Sequence, residues 1–209
     1  PLPPAGAHLP SEQMKSAVER SWEEVEAIGT FAVGEMLHRN LFRIMPEAAE
    51  LFPARVQSKY REWLSDEAAA GEDDDYDSQA LRKLFSKFVN AVGCFVAGLQ
   101  DHVRLIPMLT QLGQRHINYG VREAHFEGLG KAFTVTLREI LRADFTKEVE
   151  DAWSAAYNFM TSVMIAGLHS AAAAGGGADR ARAMEGQRAT ERAAFARDMQ
   201  VAGAGALAL

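Results

Sequence analysis

Imidazole and thiol groups are the side chains that most readily bind metals or move protons near neutral pH, and this chain of 209 residues has six histidines and one cysteine. Two of the histidines lie within apolar helical patterns. In "LGQRHINYGV", residues 112–121, His116 shares a helical face with Leu109 and Leu112. A neutral imidazole on such a face costs free energy unless both nitrogens find partners. Three readings meet that condition: a core histidine bonded to a backbone carbonyl, a capped helix end, or a metal ligand. Spacing alone leaves all three open. His38 is followed at i+3 and i+4 by Leu41 and Phe42, which turns it inward. The alternative is a surface-edge position beside Arg39.

The other candidates carry less. Asp73, Asp74, Asp75 and Asp77 invite calcium, but the run lacks the loop glycine and closing glutamate of an EF-hand. It reads as a solvated acidic insertion. The lone cysteine, Cys94, excludes an internal disulfide and any Cys-rich zinc site. Near the inner stripe of its helix, it reads as a small buried hydrophobe. His8, His102, His125 and His169 fall at loops, caps or helix ends and are assigned no role. Tyr119, Trp153 and Tyr157 read as packing aromatics.

Helices must position these groups, because strand signals are nearly absent and helical periodicity runs almost throughout. Hydrophobic residues make up 48% of the chain, enough for a real core. A formal charge of −6 gives no basic footprint for nucleic acid. No apolar run reaches the roughly 18–20 residues of a membrane span. "PLPPAGAHLP" lacks the charged and apolar regions of a secretory signal, so a cytoplasmic location is expected. Residues 1–10 read as a flexible lead, 11–170 as one all-α domain of seven or eight helices, and 171–209 as an Ala-rich peripheral tail.

Within that domain Ser11 is the expected N-cap of a first helix carrying Val18, Trp22 and Val25. Gly29 breaks it, and a second helix follows through Phe42. Pro46 opens a short helix, "PEAAELF". Residues 54–78 form an acidic insertion or loop. The longest amphipathic stripe follows: Leu81, Leu84, Phe85, Phe88, Val89, Val92, Phe95, Val96 and Leu99. Pro107 is expected to open the helix of His116, with Gly120 at its exit. Two long helices, about 123–142 and 146–169, complete the domain.

In this order and spacing, "NLFRIMPEAAELF", "LGQRHINYGV", "HFEGLGKAF" and "AWSAAYNFM" resemble the globin family, in particular its single-domain members and the haem domain of flavohaemoglobins. The resemblance covers roughly residues 11–170. It implies a three-over-three helical globin fold around haem b, with an extended acidic loop before the distal helix, and His116 as the proximal iron ligand. Its second ring N–H is then expected on a carbonyl near Leu112, one turn back. Phe52 matches the phenylalanine stacked on the porphyrin, and Val121 the apolar residue lining the proximal face. Leu112, Phe133 and Val163 are pocket lining or core. Aligned without gaps from His116, the distal position that often holds His or Gln is Leu84, with Phe88 one turn on. A one-turn slip would put Lys87 there, against the stripe. His38 matches a second-helix position over the iron's open side, where it would donate a hydrogen bond to oxygen or nitric oxide, or coordinate iron.

The proximal tyrosine and glutamate of flavohaemoglobins are matched here by Phe126 and Leu168, which carry no charge. No Gly-rich dinucleotide fingerprint follows a strand. The resemblance therefore implies a gas-binding globin for O2, NO or CO rather than a self-contained enzyme. The alternatives are a sensor globin signalling to a partner, nitric-oxide dioxygenation with an external reductase, and a haem-free interaction domain, against which His116 and Phe52 weigh.

Overall fold

Every regular element among the described residues is helical. The computed structural model describes residue 4 and residues 6–52 and 75–174; side chains are described throughout except at residues 75–83 and 85. Six α-helices appear in these segments: α1 (Glu12–Ala27), α2 (Thr30–Ile44), α3 (Asp75–Gly98), α4 (His102–His116), α5 (Glu123–Leu141) and α6 (Lys147–Ala173). Short 3-10 turns at Pro46–Leu51, Ile117–Tyr119 and Arg142–Asp144 follow α2, α4 and α5.

The helix starts follow from the caps. Ser11 Oγ accepts from the Met14 amide at 3.3 Å, and Thr146 Oγ1 from that of Val149 at 3.4 Å. Gly29 separates α1 from α2 with a φ of +96°, a conformation that glycine adopts at little cost. Helix α1 packs on α6, α3 on α2, and α4 on α6, while α5 joins α2 and α6. Helices α1, α3 and α4 thus form one layer over α2, α5 and α6, the three-over-three arrangement. The interface is filled by Leu37, Phe42, Phe95, Leu99, Leu109, Leu137 and Phe159, all fully buried. Burying each such side chain contributes about 1.5–3 kcal/mol. Among the described residues no helix is long and apolar enough to cross a membrane.

Several boundaries differ from the sequence reading. Helix α4 begins at His102 rather than Pro107, because the Asp101 carboxylate accepts from the Arg104 amide at 3.2 Å and caps it. Pro107 then lies inside the helix, where its missing N–H would have bonded the carbonyl of Val103, on an exposed turn that solvent can reach. Helix α3 begins at Asp75, inside the acidic run, at the helix end that favours acidic residue types. Helix α6 continues past residue 170 to Ala173. The N-terminal lead is not free at residues 7–10: Ala7 and Pro10 are buried, and the Ala7 amide donates to the Pro4 carbonyl at 3.0 Å. Cys94 is exposed rather than buried. The inner face of α3 is set by Val92, Phe95, Val96 and Leu99, and residue 94 points off it. Residues 53–74, with Asp73 and Asp74, and the tail from 175 lie outside the described residues, as do the side chains of Leu81, Phe85, Asp75 and Asp77.

Candidate functional site

The proximal candidate is built by the end of α4. His116 is its last residue, half-buried, and Nδ1 lies 2.8 Å from the carbonyl oxygen of Leu112, one turn back. A carbonyl can only accept, so Nδ1 carries the proton and Nε2 the lone pair. No hydrogen bond reaches Nε2 among the described residues. Burial pushes the His116 pKa down, and the Leu112 bond opposes that shift. The imidazole lies 5.7 Å from the Phe126 ring and 6.3 Å from that of Tyr119. Gly120, at φ +70°, turns the chain sharply, and the Val121 amide donates back to the His116 carbonyl at 3.3 Å. Val121 and Leu112 are half-buried against the core.

What holds α4 in place is a backbone crossing that the sequence reading missed. A Cβ on Gly113 would stand 1.9 Å from the Met164 carbonyl oxygen, and one on Gly167 2.3 Å from that of Thr110. Two glycines therefore let α4 and α6 touch backbone to backbone, three residues before His116. The signal available was a lone glycine within a helical pattern at each position. Tyr157 adds a tie from α6, its hydroxyl donating to the Phe126 carbonyl at 2.7 Å. Burial pushes its pKa up, so it stays a phenol. Tyr119, by contrast, is 50% exposed, with its ring edge-on to that of His116.

A second cluster forms between α2 and the 3-10 turn after it. His38 is 5% exposed, and Nδ1 lies 2.6 Å from the Gly34 carbonyl. Its ring stands nearly perpendicular to that of Phe52, centroids 5.3 Å apart, and at 67° to that of Phe42, 6.0 Å away. Phe42 and Phe52 close the triangle at 5.3 Å. His38 thus faces inward, and burial pushes its pKa down to about 4 against the weaker raising effect of the Gly34 bond. Helix α2 is pinned nearby by Asn40, another residue the sequence reading missed. Its amide donates to Thr136 and to Glu139 of α5, both at 3.1 Å.

Leu84 and Phe88 lie half-buried on the inner side of α3. Phe88 meets Phe133 at 5.6 Å, and Phe133 in turn meets Trp153 at 5.2 Å. Lys87 is exposed, so the register of the stripe leaves Leu84 rather than the lysine inside. Phe126 and Leu168 are both buried, which leaves an apolar wall at those positions. His125 is a helix-start cap, its Nδ1 accepting from the Arg122 amide at 2.9 Å. His169 is exposed, 3.5 Å from Glu123. Among the described residues no three His, Cys, Asp or Glu side chains gather into a protein-only metal site.

The globin family model matches residues 35–164, spanning α2 to α6. This chain belongs to the globin family. Its similar curated proteins include flavohemoproteins from three bacteria. That of Chromobacterium violaceum is 24% identical over 155 residues, 74% of this chain and 33% of its own. That of Vibrio cholerae is 23% identical over 129 residues, 61% of this chain and 33% of its own. That of Bordetella parapertussis is 32% identical over 75 residues, 36% of this chain and 19% of its own. The globin thus spans a third or less of the length of these relatives. Family membership implies a haem group, and the chemistry of His116 fits one: a neutral imidazole whose outer nitrogen is tied to a carbonyl and whose inner nitrogen keeps its lone pair.

Proposed function

We propose that this globin holds haem b through His116 and reversibly binds a diatomic gas, oxygen foremost and also NO or CO. The observation that carries the reading is the Nδ1 bond to Leu112, which fixes the tautomer an axial ligand needs and leaves Nε2 without a hydrogen-bonding partner among the described residues. Ferrous haem supplies the gas-binding chemistry when bound. The chain's own residues then orient and enclose it. Phe52 packs on the porphyrin, and Leu112 and Val121 line the side of His116. Leu84 and Phe88 form an apolar wall on the open side, with His38 as the polar group there.

A second reading, nitric-oxide dioxygenation fed by an external reductase, draws support from the flavohemoprotein relatives. Buried, uncharged Phe126 and Leu168 beside α4 weigh against it, since neither can strengthen the ligand field of His116 through charge. Optical spectra of the purified protein in ferric, ferrous and carbonmonoxy forms test the proposal. The expected result is a Soret band that shifts on reduction and again with carbon monoxide. No Soret band after haem reconstitution would refute it.

A further inference from the structure

A row of aromatic rings runs from the inner side of α3 to the outer edge of α1. Phe88 meets Phe133 at 5.6 Å between centroids, Phe133 meets Trp153 at 5.2 Å, and Trp153 meets Trp22 at 5.7 Å. Both indoles are buried, but their N–H groups end on different acceptors. Trp153 Nε1 donates to Ser21 Oγ at 2.9 Å, and that buried hydroxyl donates in turn to the Ala17 carbonyl at 2.8 Å. Trp22 Nε1 donates at 2.8 Å to Oε1 of Glu26, an exposed residue one turn on. A carboxylate can take up the proton offered to it, whereas a hydroxyl whose own hydrogen is engaged cannot. Gly93 of α3 borders this pair: a Cβ there would stand 3.2 Å from Glu26 Oε1 and 3.5 Å from Trp22 Nε1. Tyr157 also lies beside Phe133, at 6.3 Å, but its hydroxyl donates to the Phe126 carbonyl, which is no base.

Resting on the haem-globin reading above, which puts Phe88 on the haem's open side, we propose that Trp22 is the outer terminus of an electron relay. Trp153 is its inner station and Glu26 its proton acceptor, and through it the globin reduces hydroperoxides at the expense of small phenols. The hydroperoxide ROOH takes up two electrons and two protons, its O–O bond breaks, and ROH and water leave. Each electron comes from Trp22 by way of Trp153, with the phenylalanines as a bridge. As it goes, the indole N–H proton crosses to Glu26, and Trp22 is left as a neutral radical. That matters in a buried ring, where a lasting cation would be costly. Trp153 has no such acceptor, so the oxidising equivalent moves outward and stops at Trp22. A phenol at the surface then returns the electron and Glu26 returns the proton. The phenol's own proton passes to solvent, which supplies the protons taken up with ROOH. Each hydroperoxide thus consumes two phenols and yields two phenoxyl radicals.

The test mixes the haem-reconstituted full chain, in its ferric form, with hydrogen peroxide and freezes it for electron paramagnetic resonance, with deuterated tryptophan or tyrosine to assign the signal. The variants are Trp22→Phe and, at an exposed position where folding is not at stake, Glu26→Gln. We expect a neutral tryptophan radical in the wild type and its loss in Trp22→Phe. In Glu26→Gln the radical should form about a hundredfold more slowly, the low end for removing a positioned proton acceptor. Peroxide-driven oxidation of guaiacol should fall in parallel, while the carbonmonoxy spectrum stays that of the wild type. A radical on tyrosine, no protein radical at all, a tryptophan radical that survives Trp22→Phe, or a wild-type rate in Glu26→Gln would each overturn the inference. A chain that takes up no haem would overturn the underlying reading as well, whereas a chain that binds haem and carbon monoxide but gives one of those four results would overturn this inference alone.

Discussion

His116 and His38 are held by the same device, a backbone carbonyl four residues earlier, yet the two regions around them are built differently. His116 closes its helix, is half-buried, and depends on a backbone crossing of α4 and α6 through Gly113 and Gly167. His38 lies within α2, is buried among aromatic rings, and sits in a helix tied to α5 by side-chain hydrogen bonds from Asn40. The first region leaves Nε2 of His116 without a hydrogen-bonding partner among the described residues. The second buries its imidazole among aromatic rings. A shared bonding pattern therefore stands in two different surroundings.

The largest expected effect breaks the first region. Gly113→Ala places a methyl group within the Met164 carbonyl, and forcing the helices apart should cost about 3 kcal/mol or more. Chemical denaturation would read that loss, with weaker haem retention beside it. Next comes the buried base of the second region. His38 has a folded pKa of about 4 against an ordinary 6.5. Between those values the unfolded chain binds a proton that the folded chain refuses, so stability is lost as pH falls from about 6.5 to 4 and levels off below. The full difference is about 3 kcal/mol, and urea titrations at stepped pH should show that part of the decline missing in His38→Leu.

A smaller effect is expected at the tie between α2 and α5. Asn40→Ala removes two donated bonds and leaves a cavity, a loss of about 1–3 kcal/mol measurable by thermal or urea unfolding. It should leave the His116 environment unchanged, which sharpens the distinction between the regions. The smallest effect belongs to the exposed pair of Lys131 and Glu127, 2.7 Å apart on α5. Lys131→Ala should leave the denaturation midpoint where it was, because solvent screens such pairs.

Much of this architecture is legible in the sequence because periodicity reports burial directly. The stripe from Leu84 to Leu99 and the cap at Ser11 needed no tertiary information. Cys94 was misread because closeness to a stripe along the sequence says little about angle around the helix. Pro107 was misread because a capping aspartate upstream outweighs a proline near a helix start. The Gly113–Gly167 crossing and the Asn40 bonds join residues far apart in sequence, so no local pattern announces them. At the site, the type and spacing of His116 pointed to a ligand only in the company of other motifs. Which proton each ring holds depends on backbone carbonyls that residue types do not display.

The most direct test of the central claim, that His116 is the axial ligand of a bound haem, is the ferrous resonance Raman spectrum of reconstituted wild-type protein and His116→Gly, each with and without added imidazole. An iron–histidine stretching band should be present in the wild type, absent in His116→Gly, and restored when free imidazole enters the space. A His116→Gly protein that binds haem and keeps the wild-type band without imidazole would contradict it.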